Sequence, residues 1–173
     1  MHAEAAGVTY FQLREKDLSP RELLSIAMMI RPVLRNTKFI VNGSLEVALA
    51  SGADGVHLQK ENLPVQIVRS KYQTMLIGYS AHSYEEMKDA EQHGVSYIFI
   101  SPVFPPKSKN SFSSPLGCNS VSVWAKSMNV PVFALGGITV ENQNELIPSG
   151  CAGIAGISFF IEDGMFTAKG MVA

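Results

Sequence analysis

The stretch Pro131–Thr139, PVFALGGIT, decides the architecture. Its first half is a continuous apolar run opened by proline, the pattern of a strand buried on both faces in a parallel sheet flanked by helices. The run breaks at Gly136-Gly137. Two glycines at the carboxyl end of such a strand, before a helix predicted from about Val140 to Ile147 with Thr139 as N-cap, would bring backbone N–H groups to an anion that the helix terminus also favours. That predicts a phosphate site. A Gly-Gly pair can also simply turn the chain, and the pair alone does not separate the two readings.

Upstream of this stretch the same kind of unit recurs. Val8–Arg14 (VTYFQLR) reads as a strand, and Ser19-Pro20 opens an amphipathic helix to about Arg35. Phe39–Asn42 is a short strand, followed by the helix SLEVALASG ending at Gly52. Gly55–Gln59 and the segment Pro64–Tyr72 make the next unit. Met75–Ser80 precedes a helix over Ser83–His93 closed by Gly94, and Tyr97–Ser101 runs into a loop rich in Pro, Ser and Lys. A helix follows from near Asn119 to Met128. Downstream of the opening stretch lies the strand Gly153–Ile161, and the turns GADG (52–55) and GCAG (150–153) repeat the same local chemistry.

Seven strands and six helices joined by short turns require parallel strands with right-handed crossovers. A doubly wound sheet and a (β/α)8 TIM barrel both satisfy this, and the monotony of the units favours the barrel. A barrel ordinarily has eight strands and at least about 200 residues. With 173 residues, this chain is expected to lack the first strand and the closing helix, leaving the barrel open between Val8–Arg14 and Gly153–Ile161.

The 46% hydrophobic and 17% charged residues fit one globular domain spanning 1–173. A formal net charge of -1 gives no electrostatic case for nucleic acid or an anionic membrane. The apolar runs are shorter than a membrane span and MHAEAAG carries no leader pattern, so the chain reads as cytoplasmic. Cys118 and Cys151 lie in separate segments without metal-ligand spacing and read as reduced thiols. A homo-oligomer stays open.

In parallel α/β folds ligands sit at the carboxyl ends of the strands. Those ends carry Gln12, Arg14 and Lys16; Asn42; His57 and Gln59; Ser80 and His82; Ser101, Lys107 and Lys109; Gly136 and Gly137; and Ser158. Arg14, Lys16 and the two loop lysines would gather at one mouth, predicting a small-molecule substrate with more than one phosphate group. His57 alternates with Val56 and Leu58 and reads as a hydrogen-bonded layer histidine. At His82 the competing role is a helix start at Ser83. Trp124 reads as packed.

In order and spacing, FQLREKDLSPREL, GADGVHL, GYSAHSYEE, ISPVFPPKSK, PLG (115–117), VPVFALGGIT and GCAGIAGIS resemble the thiamine phosphate synthase/TenI family over nearly the whole chain. The resemblance implies a (β/α)8 barrel acting in thiamine biosynthesis. A synthase of that kind is a transferase that joins the pyrimidine of hydroxymethylpyrimidine diphosphate to thiazole phosphate, expelling pyrophosphate with Mg²⁺. Carried over by motif, Gln12, Arg14 and Lys16 handle the pyrimidine and its diphosphate. Asn42, Ser80 and Lys109 join them, while Gly136, Gly137 and Ser158 form the thiazole-phosphate pocket.

The departures are local. Similar synthases carry two metal-holding aspartates where this chain has Gly43 and Asn62, so Mg²⁺ and full activity are in doubt, and Pro106 replaces a threonine. Asn42-Gly43 resembles the TenI branch, which includes thiazole tautomerases, yet the histidine of that chemistry falls at Pro102. The alternatives are therefore a TenI-like tautomerase or a non-catalytic thiazole-phosphate-binding degenerate barrel.

Overall fold

The computed structural model describes residues 7–105, 114–156 and 171–172. Strand β1, Val8–Leu13, leads to helix α1, Pro20–Ile30. Ser19 caps α1 through a reciprocal box, its side chain accepting from the Glu22 amide while the Glu22 carboxylate accepts from the Ser19 amide at 2.9 Å. The helix stops at Ile30 rather than running on to Arg35. Pro32 has no N–H to continue the α-helical ladder, and a single 3-10 turn, Arg31–Val33, takes over.

The units then repeat: β2 (Lys38–Asn42), α2 (Leu45–Ser51), β3 (Gly55–Leu58), α3 (Val65–Lys71), β4 (Leu76–Ala81), α4 (Tyr84–Gln92) and β5 (Tyr97–Ile100). Ser44 and Ser83 cap α2 and α4. Helix α5, Gly117–Lys126, begins two residues before the position expected from the sequence; strand β6, Val132–Leu135, and strand β7, Gly153–Ala155, follow. Gly52 and Gly150 end their elements with φ of +66° and +80°, so the two repeated turns are the same device.

All pairings are parallel, in the order β1 to β7. Seven strands make a parallel barrel of the TIM type that is incomplete by itself. The gap expected between the first and last of them is narrower than the sequence suggested. A two-residue strand, β8, Met171–Val172, pairs with Ile154 and Ala155 of β7 and with Val8 and Tyr10 of β1, so the chain's own far end joins the ring. Short composition-poor strands of this kind carry no periodicity to read. The expected lack of a closing helix concerns residues outside those described.

One helix expectation fails. Between β6 and β7 there is no α-helix over Val140–Ile147 capped by Thr139; a 3-10 helix, Gln143–Ser149, takes its place. Pro148 lies within it and cannot donate to a helical ladder. Asn142 also competes for the backbone, its Oδ1 accepting from the Thr139 amide at 2.8 Å and its Nδ2 donating to the Gly137 carbonyl at 2.9 Å.

The pleat sorts each strand's residues between two cores. On β5, Ile98 and Ile100 pack outward against the helices while Tyr97 and Phe99 point into the barrel; on β6, Val132 and Ala134 go out and Phe133 goes in. Both faces are therefore buried, which is why these strands read as unbroken apolar runs. Trp124 is packed, as expected, with its ring 6.1 Å from that of Tyr84.

Candidate functional site

The inward phase of the strands also fixes what emerges at their carboxyl ends. Residues two apart share a face, so Tyr10, Gln12 and Arg14 point one way, as do His57 and Gln59, Ser80 and His82, and Phe99 and Ser101. A cavity of about 640 Å³ opens there. Of the residues singled out from the sequence, Gln12, Arg14, Lys16, Asn42 and Ser80 line it, together with His57, Gln59, His82 and Ser101. Lys60, Glu61 and Glu86, not anticipated, add charge to the rim. Lys107, Lys109 and Ser158 lie outside the described residues.

Gly136 and Gly137 do not line this cavity. Both have positive φ, +94° and +67°, and they lie against the backbone of the segment after β5. A Cβ on Gly136 would come within 2.9 Å of Pro102 Cα, and one on Gly137 within 2.6 Å of the carbonyl oxygens of Phe104 and Pro105. The pair lets two strand-end loops touch. With no α-helix after it, the helix-terminus part of the phosphate argument falls away.

The cavity floor is a polar layer set among aromatic rings. His57 is 1% exposed, with its Nε2 at 2.8 Å from Ser80 Oγ and its Nδ1 at 3.2 Å from Tyr97 Oη. Its ring centroid lies 4.4 Å from that of Phe99. Burial, helped by the positive charge of Arg14, pushes the imidazole down to about 3, so it is neutral at ordinary pH. Burial pushes the Tyr97 phenol up, so it keeps its proton. Space for this layer depends on Gly78, where a Cβ would sit 2.4 Å from His57 Nδ1 and 2.2 Å from Tyr97 Cζ. Tyr97 escaped the sequence reading because an aromatic residue opening an apolar strand looks like ordinary core.

Two buried side-chain atoms at this cavity have no hydrogen-bond partner: Gln12 Nε2, a donor, and Asn42 Oδ1, an acceptor. Leaving such atoms unpaired costs about 1–3 kcal/mol each, a cost a bound ligand can remove. At the rim, His82 Nδ1 lies 2.8 Å from the Ser101 carbonyl, which only an N–H can satisfy, so Nδ1 carries a hydrogen.

The corner that would hold Mg²⁺ is built from other groups. A Cβ on Gly43 would stand 3.5 Å from Asn62 Nδ2, so the two positions face each other. Asn62 Oδ1 is already occupied, accepting from the Gln59 amide at 2.8 Å. What remains there is an amide N–H donor, which repels a cation's ligand role, whereas Mg²⁺ takes oxygen ligands, usually with one or two carboxylates. Among the described residues no group of three or more His, Cys, Asp or Glu could hold a metal ion. The residues present do not fit a carboxylate-held Mg²⁺.

Fold and site together define a parallel (β/α) barrel whose strand ends form a pocket lined by amide, hydroxyl and charged side chains. The sequence family described as thiamine monophosphate synthase matches residues 2–160. The chain is 41% identical over 155 residues to the thiamine-phosphate synthase of Chlorobium luteolum, covering 88% of this chain and 73% of that one. To that of Methanoculleus marisnigri it is 38% identical over 169 residues, covering 96% and 80%. Thiamine phosphate pyrophosphorylase from Pyrococcus furiosus superposes with a TM-score of 0.80 at 32% identity, over 90% of this chain and 75% of that chain. The chain belongs to the thiamine monophosphate synthase family. No helix of the described residues is long and apolar enough to cross a membrane.

Proposed function

We propose that this protein is a transferase of the thiamine phosphate synthase type, condensing hydroxymethylpyrimidine diphosphate with thiazole phosphate and releasing pyrophosphate. The observation that carries the reading is the meeting of Gln12, Arg14, Lys16, Asn42 and Ser80, drawn from three strands and the loop after β1, around one cavity. The donor at Gln12 and the acceptor at Asn42 lack protein partners and suit a heteroaromatic ring that offers one of each. Arg14 and Lys16 supply the charge that a departing pyrophosphate develops, Arg as a fork and Lys as a compact point charge. The pyrimidinyl cation left behind is trapped by the thiazole nitrogen, and holding both reactants in one cavity makes that capture effectively unimolecular. Lys109 and the phosphate pocket at Gly136, Gly137 and Ser158 belong to this proposal by resemblance.

No step is routed through a metal, because Gly43 and Asn62 do not make a site for one. A second reading, tautomerisation of a thiazole phosphate, is favoured by one feature: the His82 imidazole, anchored on the Ser101 carbonyl beside Pro102, lines the cavity. The deciding experiment incubates the purified protein with both substrates, with and without Mg²⁺, and looks for thiamine phosphate. Product formation supports the transferase. Its absence, with thiazole tautomer exchange detected instead, would replace that reading by the second.

A further inference from the structure

The turn after β3 carries both a position expected to hold metal and a positive charge of its own. Asn62 closes residues 59–62 twice, its amide donating to the Gln59 carbonyl at 3.0 Å and its Oδ1 accepting from the Gln59 amide at 2.8 Å. An Asn side chain used in this way fixes a tight turn and commits its oxygen to the backbone. Lys60 and Glu61 are the central residues of that turn, and both line the cavity. Gly43, which faces Asn62, is held by its own amide donating to the His57 carbonyl at 2.8 Å. Neutral groups therefore set the backbone of this corner, and the Lys60 ammonium is mounted on it two residues from Asn62.

A Mg²⁺ ion and two carboxylates that hold it sum to zero charge, so exchanging all three for Gly43 and Asn62 leaves the net charge of the corner unchanged. Lys60 then makes it more positive by one unit. Among the described residues Lys60 forms no ion pair, and neither do Arg14 and Lys16. Of the two carboxylates that line the cavity, Glu86 accepts from the His82 amide at 2.7 Å, which leaves Glu61 alone beside Lys60. We propose that Lys60 takes the part of the divalent cation here, binding the diphosphate of the substrate directly and staying on the pyrophosphate as it leaves. The C–O bond breaks with its electron pair going to the pyrophosphate; Lys60 keeps its proton throughout and contributes charge and N–H donors, not a bond. A compact ammonium on a flexible stem can follow the leaving group, while the doubly closed turn keeps its base in place. The inference rests on the transferase reading for its substrate and adds to it that the corner works without a metal.

The test does not require turnover. Inorganic pyrophosphate is titrated calorimetrically into the purified protein, first with a chelator present and then with Mg²⁺. Binding without metal is expected, with Mg²⁺ changing the affinity by no more than about twofold. Lys60→Gln should weaken metal-free binding at least about tenfold, and Lys60→Arg should bring it back to within about threefold of the unaltered protein. Glu61→Gln should bind at least as tightly as the unaltered protein, because a like charge beside the anion has been removed. Pyrophosphate bound only with Mg²⁺, and released by Glu61→Gln, would show a metal held by Glu61 and overturn the inference. Metal-free binding indifferent to Lys60→Gln, or no binding under either condition, would overturn it as well. Thiamine phosphate formed only with Mg²⁺ and unaffected by Lys60→Gln would sink this inference and leave the transferase standing; metal-free pyrophosphate binding through Lys60, with no product from the two substrates, would do the reverse.

Discussion

Lowering the pH from about 7.5 to about 5 should weaken the fold by about 2 kcal/mol through His57 alone. In the folded chain burial pushes this imidazole from its ordinary value of 6.5 to about 3, with Arg14 adding to the effect. The unfolded chain binds a proton below its ordinary value that the folded chain refuses. Stability is therefore complete above the unfolded value and falls by about 1.4 kcal/mol per pH unit beneath it, levelling off as the pH drops through the folded value. Asp54 and Glu91 sit low because backbone N–H donors and a neighbouring lysine outweigh their burial, so the stability they add is lost only at more acidic pH. The window down to about pH 5 thus isolates histidine. For a chain of this length, about 2 kcal/mol corresponds to a fall of about 4–8 °C in Tm. Urea denaturation followed by circular dichroism at both pH values, on the protein and on His57→Gln, measures it. The variant should lose most of the pH dependence. Equal losses in both proteins, within about 0.5 kcal/mol, would refute a buried neutral imidazole.

Gly78→Ala should cost about 2–4 kcal/mol in the same assay, combining an overpacked floor with the loss of the His57–Tyr97 bond; a cost under about 1 kcal/mol would show that the layer yields easily. Arg69 donates to the carbonyls of Tyr72, Gln73, Met75 and Gly94 and to Ser96 Oγ. Arg69→Met should destabilise by about 2–4 kcal/mol, and Arg69→Lys should recover little of it because one ammonium cannot reach this fork of acceptors. Gly43→Asp with Asn62→Asp should create Mg²⁺ binding measurable by calorimetry and raise condensation activity, at a folding cost of about 1–2 kcal/mol because φ at Gly43 is +75°. Calorimetry showing no Mg²⁺ heat in the double variant would mean the corner cannot be rebuilt by carboxylates alone. Gly137→Asp is a poor probe of phosphate binding, since its Cβ meets two carbonyl oxygens at 2.6 Å and should unsettle the loops whatever binds there.

The repeat of strand and helix was legible because each strand of the parallel sheet is buried on both faces and each helix on one. VFAL and YIFI announce themselves as apolar runs, and Ser19, Ser44 and Ser83 mark helix starts through local bonds to the residues three ahead. Alternation with Val56 and Leu58 made His57 a layer residue, and the rule that ligands sit at strand ends grouped Gln12 with Arg14. The segment after Gly137 was misread because its fate depends on Asn142 and Pro148 acting together, a balance that helical spacing does not expose.

What the sequence by itself determined is therefore the architecture and the list of polar strand ends, since periodicity, capping and turn chemistry are local and survive without knowledge of the partners. Tertiary structure alone decided which of those residues share a cavity. Tyr97 and Gly78 lie 40 and 21 positions from His57, yet the parallel register sets all three side by side. It decided closure as well. Met171–Val172 has no signal of its own, and becomes a strand because β7 and β1 present open edges whose N–H and C=O groups need partners.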